Sequence, residues 1–195
     1  MKILFLYNND CALKLMGYLQ NKGHEVIRFS EPLELDWVQK QCFELAISYT
    51  YRFIVKEDII KALNDNIINL HTSFLPWNRG ASPNLWSVIE NTPRGVTLHY
   101  INKQLDKGKI IAQRLVPFEV GATLKTSYEQ LDNEAFSLFV SAFAYYPYWR
   151  QMAYFPEFKG TYHNMAQTKE VMQTLPGWDV AVEDVKKWGG ASEHE

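Results

Sequence analysis

The chain has 195 residues, 47% of them hydrophobic, and a formal net charge of −2. That length suits one domain, or one domain with a short appendage, with enough apolar side chains to bury a sizeable core. No basic run offers nucleic acid an electrostatic footprint, and no apolar run approaches the ~20 residues of a membrane span; a soluble, cytoplasmic protein is expected.

The run Lys2 to Tyr7 is continuously apolar, as in a strand buried on both faces. Asn8-Asn9-Asp10 follows as a turn and helix cap. Ala12 to Asn21 carries apolar residues at helical spacing and ends at Lys22-Gly23; His24 to Phe29 is a second strand. The first turn has no glycine, so it lacks the Gly-rich phosphate fingerprint. Asp36 to Gln41 reads as a short helix, Glu44 to Ser48 as a buried strand, and Tyr49 to Phe53 as an aromatic loop. Val55 to Leu63 is a helix opened by Glu57 and Asp58, acids that suit its positive N-terminus. Ile67 to His71 is the next strand. Alternation of strand and helix argues for a doubly wound α/β domain.

Ser82-Pro83 predicts a helix start, with Ser82 as N-cap and Pro83 at the first helical position, running to about Asn91. Val96 to Ile101 and Lys109 to Val116 are strands whose short, helix-free connection suits antiparallel neighbours. A long helix is expected over Leu124 to Tyr145. Residues 151–195 are expected to fold against a catalytic domain of residues 1–150, with Gly189 to Glu195 a frayed tail. The aromatic run Phe136 to Phe158 suits a homodimer contact or a cover for the sheet. Cys11 and Cys42 match no metal or redox spacing and are expected as reduced, packed thiols; no metal site is expected.

The chemistry concentrates where the fourth strand ends. Asn69 and His71 alternate with Leu70, so both point to one side, at the strand end where open parallel sheets place their sites. Histidine handles protons near neutral pH. An asparagine amide can donate to a developing oxyanion. Asp106, in the polar loop Gln104 to Gly108, could orient or charge-stabilise the imidazole. On spacing alone, a histidine at a strand end is more often structural than catalytic, and an aspartate just before a glycine is more often a turn residue.

Several separated segments together carry a resemblance: Asn69-Leu70-His71-Thr72-Ser73-Phe74-Leu75-Pro76, Arg79-Gly80, Gly95 to His99, and Leu105 to Gln113. Over roughly residues 1 to 130 the chain resembles the formyltransferases that use N10-formyltetrahydrofolate. The resemblance implies the formyltransferase fold, a mostly parallel sheet with a Rossmann-like N-terminal half. It also implies catalytic roles for Asn69, His71 and Asp106, and a pterin gripped by Arg52-Phe53-Ile54, Leu75-Pro76 (cis in the family) and Asn102-Lys103 with Leu105. The chain departs from the family pattern at Thr72 and Phe74, which can reshape the folate channel.

Within that family the tRNA enzymes carry a C-terminal barrel, the formyltetrahydrofolate hydrolases an N-terminal regulatory domain, and the glycinamide ribonucleotide enzymes a glycine-bearing phosphate loop. None is evident in this sequence. The segment Asn78 to Trp86 and Thr161-Tyr162-His163 resemble the nucleotide-sugar group, which makes precursors of surface polysaccharides such as O-antigen. The implied acceptor is a nucleotide-linked 4-amino or 3-amino deoxysugar, met by Trp77, Arg79, Gly80, Asn84, Trp86, Tyr162 and His163. The alternatives are a ribonucleotide-type formyltransferase with an unusual phosphate site and a non-catalytic folate- or nucleotide-binding module.

Overall fold

The structure is a computed structural model and describes residues 1–190. Five strands and four helices come first: β1 (Lys2–Leu6), α1 (Leu13–Asn21), β2 (Glu25–Phe29), α2 (Leu35–Gln41), β3 (Leu45–Tyr49), α3 (Glu57–Ala62), β4 (Ile67–His71), β5 (Arg79–Gly80) and α4 (Pro83–Ile89). Then come β6 (Gly95–Tyr100), β7 (Ile110–Leu115), α5 (Leu124–Phe143), α6 (Trp149–Met152), β8 (Tyr162–His163), α7 (Met165–Thr174) and α8 (Val182–Gly190). Six strands form one sheet in the order β2-β1-β3-β4-β6-β7. The first four are parallel, whereas β6 runs antiparallel to β4 and β7 antiparallel to β6. The doubly wound, mostly parallel expectation holds.

Side chains of each strand alternate between two cores. Ile3 and Phe5 of β1, with Ile68 and Leu70 of β4 and Val96 and Leu98 of β6, pack under α1 and α5. Leu4, Leu6 and Ile67 face the other way, against α2 and α3. Burying each such side chain contributes roughly 1.5–3 kcal/mol, which explains why the central strands read as unbroken apolar runs. A third cluster joins Leu85 and Val88 of α4 to Leu124, Leu175, Val182 and Val185. The C-terminal segment thus packs on α4 and α5, and Tyr154 bridges to Ile110 beside the edge strand β7.

Side chains cap some of the helix starts. Asn9 caps the short turn before α1 by accepting from the Cys11 N–H at 3.1 Å. Thr123 opens α5 through a reciprocal capping box with Thr126. Ser82 departs from expectation: it precedes α4 but is left-handed, with φ of 48°, and its hydroxyl caps nothing. Cys42 also departs from the packed reading; it is exposed, at the left-handed C-terminus of α2. Of the expected frayed tail, Gly189 and Gly190 fall within α8, and residues 191–195 lie outside the described residues. Among the described residues no helix is long and apolar enough to cross a membrane.

Arg94 ties the second half of the chain together. Its side chain is buried, and its Nε donates to Asn84 Oδ1 at 3.0 Å. Its Nη1 reaches Val116 O (2.8 Å), Pro117 O (3.2 Å) and Gln130 Oε1 (3.0 Å), and Nη2 donates to Ser127 O. Burial lowers its pKa to about 10, against the opposing pull of Glu119, so the guanidinium stays charged at neutral pH.

Candidate active site

A cavity of about 760 Å³ opens at the carboxyl ends of β1, β3 and β4. It spans the point where the chain order reverses between β1 and β3, the place where open α/β sheets receive ligands. The volume lies within the range of small-molecule sites.

Asn69 and His71 continue the face of β4 that carries Ile67, and both line the cavity. The antiparallel register sets Asn69 opposite His99 and His71 opposite Thr97. His99 therefore joins the same face, and Asn69 Nδ2 lies 3.3 Å from His99 Nε2. His99 Nδ1 lies 2.9 Å from the Tyr100 carbonyl, an acceptor, so Nδ1 carries the proton. Nε2 is then free to accept from the Asn69 amide, which leaves Asn69 a second N–H to offer. Burial pushes the His99 pKa down to about 4, with His71 adding to the fall while Asp106 and the Tyr100 carbonyl oppose it. His99 is neutral at physiological pH.

Asp106 sits between the two imidazoles. Its Oδ2 lies 3.7 Å from His71 Nε2, and its Oδ1 lies 3.8 Å from His99 Nε2. Both gaps exceed a direct hydrogen bond and suit a bridging water. The direct partner of Asp106 is the Gly80 N–H, which donates to Oδ2 at 2.8 Å. Burial by itself would raise the carboxyl pKa, but the two imidazoles, the Gly80 N–H and Arg79 outweigh it and hold it below its ordinary value. His71 is buried too, and its Nε2 meets the Asn78 carbonyl at 3.3 Å.

The acid side of stability follows from these shifts. The unfolded chain protonates His99 near 6.5 and the folded chain only near 4. Stability is fully present above 6.5 and is lost as pH falls towards 4, by on the order of 3 kcal/mol from this group. Asp106, with its lowered pKa, adds a further loss below its ordinary value of 3.8. Urea midpoints measured across this range should decline in wild type and decline less steeply in His99→Gln. Parallel pH profiles for the two proteins would contradict the buried, neutral His99.

The expected folate contacts divide. Arg52, Phe53, Ile54, Asn102, Lys103 and Leu105 line the cavity. Ile54 and Leu105 are large apolar side chains left exposed at its rim, a surface suited to an apolar ring. The Asn102–Asp106 loop holds its own shape, with Asn102 Oδ1 accepting from the Gln104 N–H and Asn102 Nδ2 donating to Lys107 O. Leu75 and Pro76 do not line the cavity. Their peptide bond is cis, and the Leu75 backbone is held by Thr97 and Gln113.

The expected acceptor contacts divide as well. Gly80, Tyr162 and His163 line the cavity; Trp77, Arg79, Asn84 and Trp86 do not. Trp77 faces Phe158. Arg79 folds back onto the Thr161 carbonyl. The Asn84 amide is spent on Leu124 O, Ser127 Oγ and Arg94. Trp86 is buried, and the His163 ring stacks on it at 3.8 Å, while His163 Nε2 lies 3.0 Å from Glu90.

Some cavity residues escaped the sequence reading. His99 is the main one, and its signal was the alternation of Thr97 and His99 with Val96 and Leu98. Tyr49 and Tyr128 line the floor, where the Tyr49 hydroxyl donates to Asp132. Burial, then Asp132, pushes the neighbouring Cys11 thiol up to about 12, so it is no nucleophile at neutral pH. The glycine-free first turn has its own tenants: the Asn8 and Asn9 N–H groups donate to Thr50 Oγ1, and Asn8 Nδ2 donates to Ser30 O. Among the described residues no cluster of His, Cys, Asp and Glu could hold a metal ion.

The chain has known relatives. Over 98 residues the chain is 38% identical to the bifunctional polymyxin resistance protein ArnA of Wigglesworthia glossinidia brevipalpis, covering 50% of this chain and 15% of that protein. It is 40% identical over 128 residues to the dTDP-4-amino-4,6-dideoxyglucose formyltransferase of Mycobacterium bovis, covering 58% of this chain and 53% of that one. The chain thus spans about half or less of the curated relatives it matches. Its structure is similar to the formyltransferase PseJ of Anoxybacillus kamchatkensis, solved with UDP-4,6-dideoxy-4-formamido-L-AltNAc and tetrahydrofolate. The TM-score is 0.83 at 36% identity, over 95% of this chain and 97% of that one. A family model described as formyl transferase matches residues 21–143. With the fold, the sheet-end cavity and the motif segments in agreement, the chain belongs to the formyl transferase family.

Proposed function

We propose that the protein transfers a formyl group from N10-formyltetrahydrofolate to the amine of a nucleotide-linked amino deoxysugar. The observation that carries the reading is the cluster of Asn69, His71 and Asp106 on the wall of one cavity at the ends of the parallel strands. The similarity to PseJ along nearly the whole of both chains, and to the mycobacterial sugar formyltransferase, supports the acceptor class.

The chemistry assigns each residue a task. The acceptor amine forms a bond to the formyl carbon, and the carbonyl oxygen gains negative charge. The free N–H of Asn69 and the His71 imidazole stabilise that charge. The neutral His99 holds the Asn69 amide in orientation. Asp106 keeps His71 in place and, through a water, passes the proton lost by the amine towards N10. The bond between N10 and the formyl carbon then breaks, leaving a formamide and tetrahydrofolate. Arg52, Phe53, Ile54, Asn102, Lys103 and Leu105 border the folate, and Gly80, Tyr162 and His163 the acceptor.

The ribonucleotide alternative is disfavoured by the first turn, whose amides already donate to Thr50 rather than standing free for a phosphate. A pure binding module would have no use for a buried carboxylate set between two histidines. We read residues 1–150 as the catalytic domain with the remainder packed on it. We place the protein in the cytoplasm, serving surface polysaccharide synthesis such as O-antigen, and as a homodimer. Exposed Tyr145, Tyr148, Phe155 and Phe158 support the dimer, and a monomer by sedimentation would remove it.

Incubation with N10-formyltetrahydrofolate and two acceptors tests the reaction: dTDP-4-amino-4,6-dideoxyglucose, and the UDP-linked 4-amino sugar corresponding to the PseJ ligand. Tetrahydrofolate release matched by a formamide product is expected with at least one. No release with any nucleotide-linked amine would sink the acceptor class.

A further inference from the structure

One short loop connects both proton-handling groups of the site to the C-terminal segment. The Asn78 carbonyl meets His71 Nε2 at 3.3 Å, and two residues later the Gly80 N–H donates to Asp106 at 2.8 Å. The loop is clamped from behind by Thr161. Thr161 Oγ1 accepts from the Asn78 N–H at 2.9 Å and donates to Asn78 Oδ1 at 3.1 Å. The Thr161 carbonyl accepts from the Arg79 N–H at 3.1 Å and from Arg79 Nε at 3.2 Å. The clamp continues as the parallel pairing of β5 with β8, where Arg79 faces Tyr162 and Gly80 faces His163.

The fit is close on both strands. Gly80 has φ of +88°, and a Cβ there would lie 2.2 Å from His163 O. Gly160, immediately before Thr161, has φ of +60°, and a Cβ there would lie 1.9 Å from Pro76 O. Asn78 is itself left-handed, with φ of 53°, and its amide Nδ2 is tied to Thr92 at 2.7 Å. A side chain amide bound on both sides, in a backbone conformation that non-glycine residues seldom adopt, leaves the Asn78 carbonyl little freedom to turn away from His71.

We propose that Thr161 is a positioning residue for formyl transfer: by clamping Asn78 and Arg79 it sets where the Asn78 carbonyl meets His71 and where the Gly80 N–H meets Asp106. It does so from 83 residues along the chain and touches neither group itself. The inference rests on the reaction proposed above. It gives the C-terminal segment a part in the chemistry as well as in packing.

The test compares three variants of the full chain. Thr161→Val keeps the shape and removes the hydroxyl; Thr161→Ser keeps the hydroxyl; Val185→Ala loosens α8 without touching the loop. With the dTDP- and UDP-linked amines as acceptors, Thr161→Val is expected to lose about 10–100-fold in kcat, with KM for N10-formyltetrahydrofolate little changed. Thr161→Ser should restore most of kcat, and Val185→Ala should lower the thermal midpoint with kcat intact. Wild-type kcat in Thr161→Val, or an equal loss in Val185→Ala, would overturn the proposal. If the wild-type chain turns over neither acceptor, the reaction fails but the clamp is still readable. The ring 15N resonances of His71 should then move in Thr161→Val and stay in Val185→Ala, and unmoved resonances in Thr161→Val would refute it.

Discussion

Replacing His71 with alanine is expected to lower turnover by about 10²–10⁴-fold, while tetrahydrofolate binding survives. The same split is expected for Asp106→Asn. The reason lies in where the two groups stand. His71 lines the cavity at the end of β4, and the residues proposed to border the folate come from other segments, the aromatic loop after β3 and the Asn102–Asp106 loop. In the proposed mechanism, removing the imidazole takes away a group that stabilises the oxyanion and leaves that surface in place. In Asp106→Asn the side-chain oxygen can still accept from the Gly80 N–H, so the loop keeps its anchor. What goes is the negative charge facing His71 and His99. Steady-state rates paired with tetrahydrofolate titration separate the two effects. Near-normal turnover in either variant would remove that residue from the mechanism, and lost folate binding with lost turnover would assign it to the folate site instead.

Arg94→Met is expected to act on the fold rather than on the chemistry, at a cost of about 3 kcal/mol. The buried guanidinium reaches five acceptors: a side chain on α4, two carbonyls after β7, and a carbonyl and a side chain on α5. Methionine fills similar space but donates to none of them, so buried acceptors lose their partners. Arg94→Lys should also lose much of the effect, because a single ammonium cannot reproduce the planar fork. For a chain of this size the loss corresponds to a fall of about 10 °C in thermal midpoint. Purified Arg94→Met, below its melting temperature, should keep most of its kcat, since no atom of Arg94 borders the cavity. A midpoint within a degree or two of wild type would contradict the rivet.

The site substitutions and those at Arg94 divide the molecule into parts that the sequence exposes to different degrees. The βαβ opening is plain in the sequence because period and burial coincide: Ile3 to Leu6 of β1 and Leu45 to Tyr49 of β3 are buried along their whole length, and each reads as a nearly unbroken apolar run. The antiparallel pair β6 and β7 follows from the absence of a helix in a short connection. The N-cap at Ser82 misled, because the capping pattern depends on backbone angles that the surrounding loop overrides. The helices α7 and α8 were missed as elements, because a polar sequence helix gains most of its stability from the surface it packs on.

The site divides along the same line. Period two in a strand is a local property, so the shared face of Asn69 and His71 was determined by the sequence alone, and the segments from Asn69 to Gln113 carried the family. The register that sets His99 against Asn69 joins residues 30 apart, and the carboxylate of Asp106 reaches Gly80 across 26. Thr161 reaches Asn78 across 83. Trp77, Arg79, Asn84 and Trp86 sit in or beside the resembling segment, yet face the interior or the C-terminal segment rather than the cavity. No local pattern encodes these outcomes. They depend on which strands pair and in what register, and on which buried donors and acceptors must find one another once water has been excluded.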